Sequence, residues 1–174
     1  MNIRNILYSL LLLLFISCND KTTDHKNELL LKENTTKAIF EDIADQCWNK
    51  KNMEKLKRVV VPDFVRTVND IKIAGNEKEM EAAMNIFFTG FPDLHITLDS
   101  MIVKDSRLFT HWTATGTNTG IFGGVPATGK KVKFAGFSII NYDNRGILTR
   151  EDAYYNELSL LQQLGYTLQP PVLK

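Results

Sequence analysis

The sequence predicts an α+β domain in which helices come first and an antiparallel sheet follows. Two observations carry this. Before residue 92 the apolar residues recur at spacings of three and four, and after it they alternate with polar ones in segments rich in Thr, Val, Ile, Phe and Tyr. The alternating segments are separated by turn-forming clusters of Asp, Asn, Ser and Gly. Helices grouped on one side of such a sheet are the arrangement that buries both apolar faces.

Taken in order, residues 28–52 place Ile39, Phe40, Ile43, Cys47 and Trp48 on one stripe, the mark of an amphipathic helix. Asn52 can cap a second, short helix carrying Met53, Leu56 and Val59 to Val61, which Pro62 stops. A third starts at Asn76, with Glu79 three residues on as in a capping box, and Gly90 with Pro92 ends it. Its buried stripe is Met80, Ala83, Met84, Phe87 and Phe88. Four strands of a meander follow at about 94–104, 107–119, 131–142 and 147–157. Their turns are Asp105-Ser106, the glycine-rich stretch 120–129 and residues 143–146. Leu158 to Leu164 reads as a terminal helix closed by Gly165.

Composition narrows the function. The 174 residues hold 21 basic and 20 acidic side chains, so the chain lacks the clustered cations that nucleic-acid binding needs. Ten Gly and five Pro exclude a collagen-like or low-complexity chain. Residues 1–18 combine Arg4, an apolar run of about eleven residues and Ser17 before Cys18, too short a run to span a bilayer and fitting a secretory leader. Ser17-Cys18 resembles the lipobox of bacterial lipoproteins, with Phe15 where Leu is usual. The expected organisation is a signal peptide over 1–17, lipidation at Cys18, a polar tether over 18–31 and one domain over 32–174, lipid-anchored to a membrane of the bacterial cell envelope. With Cys18 acylated, Cys47 is the remaining thiol and no internal disulfide can form.

Residues 124–130 match most of a phosphate-binding loop, but Lys131 stands where a hydroxyl is required and the stretch leads into a strand, so a hairpin loop is expected. His25, His95 and His111 have no partners at ligand spacing, and no metal site or cofactor is expected. On the last strand, Asp152, Tyr154 and Asn156 share one face and Glu151, Ala153 and Tyr155 the other. Asp152 in a concave apolar pocket would have a raised pKa and could act as acid or base, and His111 is a second proton carrier on the sheet.

Residues 91–94 (FPDL), 116–120 (GTNTG), 126–130 (PATGK) and Tyr155-Asn156 followed by residues 160–165 (LLQQLG) resemble, in order and spacing, the SnoaL-like polyketide cyclases, or ester cyclases. The resemblance spans most of residues 35–166. It implies an NTF2-like cone, helices wrapped over a bent antiparallel sheet around a pocket. It also implies metal-free and cofactor-free aldol closure of a polyketide ester by a pocket acid/base. Here the sequence departs from the family: Asn156 stands where an acid/base Asp is expected, and Asn118 and Thr67 where His is expected. An amide can orient a carbonyl but cannot exchange protons near neutrality.

Two readings follow. As an enzyme, the chain would use Asp152 or His111 for proton traffic, with Asn118 and Asn156 orienting the substrate carbonyl. As a binding protein, it would hold a small apolar molecule between Trp48, Phe64, Trp112, Phe137 and Tyr154. A homodimer through the outer sheet face is a third, structural expectation.

Overall fold

The computed structural model describes residues 20–170. The leader and Cys18 therefore lie outside the described residues. The chain divides into two compact units, Met1–Ala38 and Ile39–Lys174.

Helix α1, Asp20–Ala44, contains no Gly or Pro. Within the first unit a Glu33–Lys37 pair at 2.7 Å joins successive turns, acid before base, the favourable order along a helix. The stretch expected to be a flexible tether is thus helical from Asp20 onward. Beyond Ala44 the backbone widens into a π-helical turn, Asp45–Asn49. Helix α2, Met53–Val59, is capped by Asn52, whose side chain accepts the amide of Lys55 at 3.0 Å.

The run expected to end at Pro62 instead opens strand β1, Val60–Val68, and a short β2, Ile71–Ala74, follows. Pro62 is tolerated because it falls between Val60 and Val65, where the register of β1 against its neighbour slips and its missing N–H costs no ladder bond. Asn69 and Asp70 turn the chain at φ 49° and 66°, the left-handed pair that suits a tight hairpin.

Helix α3, Glu77–Gly90, begins with the expected reciprocal cap. Asn76 accepts the Glu79 amide at 2.9 Å, and Glu79 accepts from the Asn76 side chain at 2.8 Å. The meander is β3 (His95–Lys104), β4 (Arg107–Thr117), β5 (Lys131–Tyr142) and β6 (Leu148–Tyr155), close to the expected bounds. Helix α4, Glu157–Leu164, ends at Gly165 with φ 105°.

The six strands lie in the order β2-β1-β6-β5-β4-β3. All neighbours are antiparallel except β1 and β6, which run parallel. Alternation along β4 and β5 buries Leu108, Thr110, Trp112 and Ala114, and Val132, Phe134 and Ser138, on the inner face. The core forms two clusters on that face. One joins Phe40, Ile43, Cys47, Phe64 and Met80, and the other Phe91, Leu94, Trp112, Phe134 and Leu160. Trp48 and Phe88 pack against both.

Candidate functional site

Trp48 reaches the inner face because the π turn presents it there. Asn49, its neighbour, accepts the Ile96 amide at 2.7 Å and donates to the Ile96 carbonyl at 3.0 Å, so a side chain takes the place of a strand partner and pins the turn to β3. Facing the sheet, Trp48, Phe87, Ile96, Trp112 and Phe134 wall a cavity of about 80 Å³. A second cavity of about 70 Å³ shares Trp48, Ile140 and Glu151 with the first.

The polar groups of the first cavity are few and connected. The Trp112 indole donates to Ser138 Oγ at 3.0 Å, and Ser138 donates to Glu151 Oε1 at 2.9 Å. Ser138 is 1% exposed, so the middle of this chain is shielded from water. Glu151 Oε2 is 3.4 Å from Arg66 Nε, the register partner across the β1–β6 pair. That distance pairs the charges, yet Arg66 Nε makes no hydrogen bond. The guanidinium lies over the Trp48 ring at 5.0 Å and points Nη1 at the Met80 sulfur, 3.8 Å away. Arg66 is 8% exposed, and a buried cation of this kind persists because the partly buried Glu151 carboxylate offsets it. Tyr155 completes the wall; burial pushes its hydroxyl up to about 12, which keeps it a neutral donor.

Of the residues expected at the site, Trp48 and Trp112 line this cavity and Phe64 lines the second. The others lie elsewhere. Asp152 occupies the opposite face of β6, where it accepts from Arg150 Nε at 2.8 Å and Nη2 at 2.5 Å and from Thr67 Oγ1 at 2.7 Å. The Arg150 hydrogen bond, helped by Thr67, holds its carboxyl below the usual value, the reverse of the rise expected for a pocket acid. The cause is a bulge: Tyr142 pairs with Leu148 and Asn141 with Arg150, leaving Thr149 over and turning Glu151, Ala153 and Tyr155 inward.

His111 is exposed on the outer face, its Nδ1 2.9 Å from Asp99 Oδ2. Phe137 is also outside, its ring 6.5 Å from Phe109, and Tyr154 donates its hydroxyl to Asp70 at 2.7 Å. Asn118 is buried but fully engaged. Its Nδ2 donates to the carbonyls of Gly90 and Gly120, and its Oδ1 accepts the amide and hydroxyl of Thr128, which exhausts the side chain's capacity. It clamps the β4–β5 loop to the end of α3 and has nothing left for a substrate. Asn156 caps α4 by accepting the Ser159 amide at 2.9 Å, and Thr67 serves Asp152.

Sequence reasoning passed over Arg66, Ser138, Glu151 and Tyr155. A signal was present: Glu151, Ala153 and Tyr155 share one face, and Arg66 interrupts an apolar run.

The family model for SnoaL-like polyketide cyclases matches residues 38–164. Among solved structures, the chain is similar to AclR, a candidate hydroxylase from Streptomyces galilaeus, at 25% identity and TM-score 0.67, covering 80% of this chain and 86% of that one. A SnoaL-like protein from Jannaschia sp. CCS1 is 18% identical with TM-score 0.69, covering 80% and 95%. IdmH, a candidate polyketide cyclase from Streptomyces antibioticus, is 20% identical with TM-score 0.62, covering 76% and 98%. The last two show the shared NTF2-like fold. No curated protein matches the sequence significantly.

Proposed function

The chain belongs to the SnoaL-like polyketide cyclase family, and from that premise we propose that it is an acid/base enzyme for a small apolar carbonyl compound, with Glu151 as the base. The observation that carries this reading is that Glu151 is the one carboxylate lining the cavity, held by Ser138 and Trp112 and faced by Arg66.

The chemistry is the removal of a proton from the carbon beside a carbonyl. Glu151 takes the proton, the C–H electron pair becomes a carbon–carbon double bond, and the carbonyl π pair moves onto oxygen. As Glu151 loses its charge the enolate oxygen gains one, so Arg66 exchanges one anionic partner for another and the buried site stays neutral throughout. Arg66 Nε–H and the Tyr155 hydroxyl are the donors available to that oxygen. Attack of the enolate carbon on a second carbonyl of the same molecule, followed by return of the proton, is the ring closure the family suggests. The fold by itself does not select it, since AclR carries a different candidate activity.

The test is deuterium incorporation from D₂O into cyclohexanone, followed by NMR. The wild-type chain should accelerate exchange, and Glu151→Gln should lower that rate at least a hundredfold while retaining the native circular dichroism. Unchanged exchange in Glu151→Gln removes Glu151 as the base.

A second reading, non-catalytic binding of a small apolar molecule by a membrane-tethered protein, is favoured by the placement of Asp152 and His111 outside the cavity and of Asn118 and Asn156 in structural bonds. It calls for saturable binding with no exchange. Lipidation at Cys18, residence in the bacterial envelope and a homodimer through the outer sheet face belong to our proposal as well. Intact mass of membrane-extracted protein tests the first two, and sedimentation the third.

A further inference from the structure

Two chambers meet at Glu151, and their walls differ in kind. The first, of about 80 Å³, carries Arg66, Ser138 and Tyr155, while the second, of about 70 Å³, is walled by buried apolar side chains such as Phe40, Leu56, Phe64 and Leu148. Trp48, Ile140 and Glu151 line both and so form the partition between them. Beyond the indole of Trp48, the hydrogen-bonding side chains among the described residues of the second chamber are Glu151 and Cys47. Both Glu151 oxygens have their partners on the first side, Oε1 with Ser138 at 2.9 Å and Oε2 facing Arg66 at 3.4 Å. Burial pushes the Cys47 thiol up to about 11, so near pH 7 it is neutral and behaves as a small apolar group. A bound water needs roughly two to four polar partners, which this wall does not offer, whereas a hydrocarbon group needs none. The helix side of the chamber is built from small residues. Helix α1 and the π turn meet it with Ala44 and Cys47, the smallest side chains in its wall. A π turn is a rare departure from the helix that recurs at functional sites, and this one supplies both Cys47 and the partition residue Trp48.

A molecule occupies both chambers at once only if it narrows where it passes Trp48, Ile140 and Glu151, and a run of methylenes is the narrowest hydrocarbon segment. From the shared partition, the apolar wall and the small side chains that face it, we infer that the second chamber is a subsite for an unbranched aliphatic chain of the substrate, whose carbonyl lies in the first chamber. The inference rests on the Glu151 site proposed above and names its substrate class, a carbonyl compound with a straight alkyl chain. Because Glu151 stands in the partition, the carbon that gives up its proton lies at the junction and the chain begins there. In a methyl ketone this distinguishes the two sides of the carbonyl: C3, which bears the chain, is the carbon presented to Glu151, and the C1 methyl is not.

The experiment follows deuterium uptake from D₂O by NMR in 2-butanone, 2-hexanone and 2-octanone, and in 5,5-dimethyl-2-hexanone, an isomer of 2-octanone with a branched end. For the wild-type chain, kcat/KM for exchange at C3 should rise about fourfold with each methylene that enters the chamber. Exchange at C1 should not rise with it. The branched isomer should fall about tenfold below 2-octanone, since its end is too wide for the partition. Ala44→Leu fills the chamber and should cut the ratio of kcat/KM for 2-octanone over 2-butanone about tenfold. Val60→Ala enlarges the chamber and should raise the same ratio for 2-decanone over 2-octanone, which keeps the test decisive if Ala44→Leu does not fold. Equal kcat/KM along the series, a branched isomer as good as the straight one, or ratios unmoved in the folded variants each overturn the inference. The two proposals separate cleanly. Glu151-dependent exchange without dependence on chain length discards the subsite and leaves the base in place. If no ketone exchanges, the base fails, and calorimetric binding of the same ketones reads the subsite alone: wild type should prefer 2-octanone to its branched isomer about tenfold and lose that preference in Ala44→Leu. Equal binding of the two isomers then overturns the subsite as well.

Discussion

Trp112 lies across the backbone of Gly136, its register partner on β5, so closely that a Cβ at Gly136 would come within 2.2 Å of the indole Cζ2 and 2.6 Å of the Tyr154 carbonyl oxygen. The ring is held there by its bond to Ser138 and by edge-on packing against Phe134 at 6.0 Å. Gly136→Ala should displace the indole, break the link from Trp112 through Ser138 to Glu151, and lower stability by about 3 kcal/mol. Urea unfolding measures the loss. A change under about 0.5 kcal/mol would mean that the sheet yields at this point more readily than a paired strand should.

Asp152→Asn should leave exchange and ligand binding unchanged, because the carboxylate lies on the far side of the sheet from the cavity. It should cost about 1 kcal/mol of stability through the lost charge-assisted bonds, a modest figure because Arg150 is partly solvated. The folded protein holds this carboxyl below its ordinary 3.8, so the contribution is present above that value and disappears as pH falls through the lower folded one. Stability curves of wild type and variant should therefore run parallel from about pH 5 to 8 and converge as pH falls below 3.8 through the lower folded value.

A histidine at position 118, where the resemblance implies one, should not add chemistry. Asn118→His puts an imidazole into a position where four bonds to Gly90, Gly120 and Thr128 are already defined. The variant should show no gain in exchange and lose about 2 kcal/mol, since the Gly90 and Gly120 carbonyls and the Thr128 amide lose their partner. Thermal unfolding together with the NMR exchange assay decides both parts, and increased exchange would mean that the side chain at position 118 reaches the cavity.

Alkaline pH should weaken the fold in two steps. Burial holds the Cys47 thiol near 11 against an ordinary 9.0, and the Tyr155 hydroxyl near 12 against 10.0. Both groups stay protonated in the folded state while the unfolded chain ionises. Their contributions, on the order of 2 kcal/mol each, are full below pH 9 and fade as pH rises through 11 and 12. Cys47→Ala should remove the part of the decline that starts near pH 9, and alkylation of Cys47 at pH 8, read by peptide mass, should be slow until the protein unfolds.

The meander, the caps at Asn52 and Asn76, and the turn at Asp105-Ser106 were legible because each depends on neighbours in sequence. Strands β1 and β2 were not. Pro62 reads as a helix stop, and only the pairing with β6, more than eighty residues away, shows that it sits in a gap in the ladder. The site failed for a related reason. Alternation separates Asp152 from Glu151 but does not say which of the two faces is concave. The bulge at Thr149 also removes the phase that Leu148 would otherwise have supplied. The two choices are neighbours on the same strand pair: Arg66 with Glu151 on the inside, Thr67 with Asp152 on the outside. Asn118 and Asn156, which the resemblance marks as site positions, have side chains that are spent on loop and helix ends.

The parallel seam between β1 and β6 has a consequence for how the protein comes into being. Arg66 leaves the ribosome long before Glu151, and the two meet only after the last strand has been made and has slotted in beside the first. Pairings of such long sequence separation form late. A nascent chain released before β6 therefore exposes Arg66 without its native partner in an unclosed apolar sheet, a state that chaperones and proteases can recognise. The charge pair that we propose as the reactive feature of the cavity is thus completed only when β6 is in place.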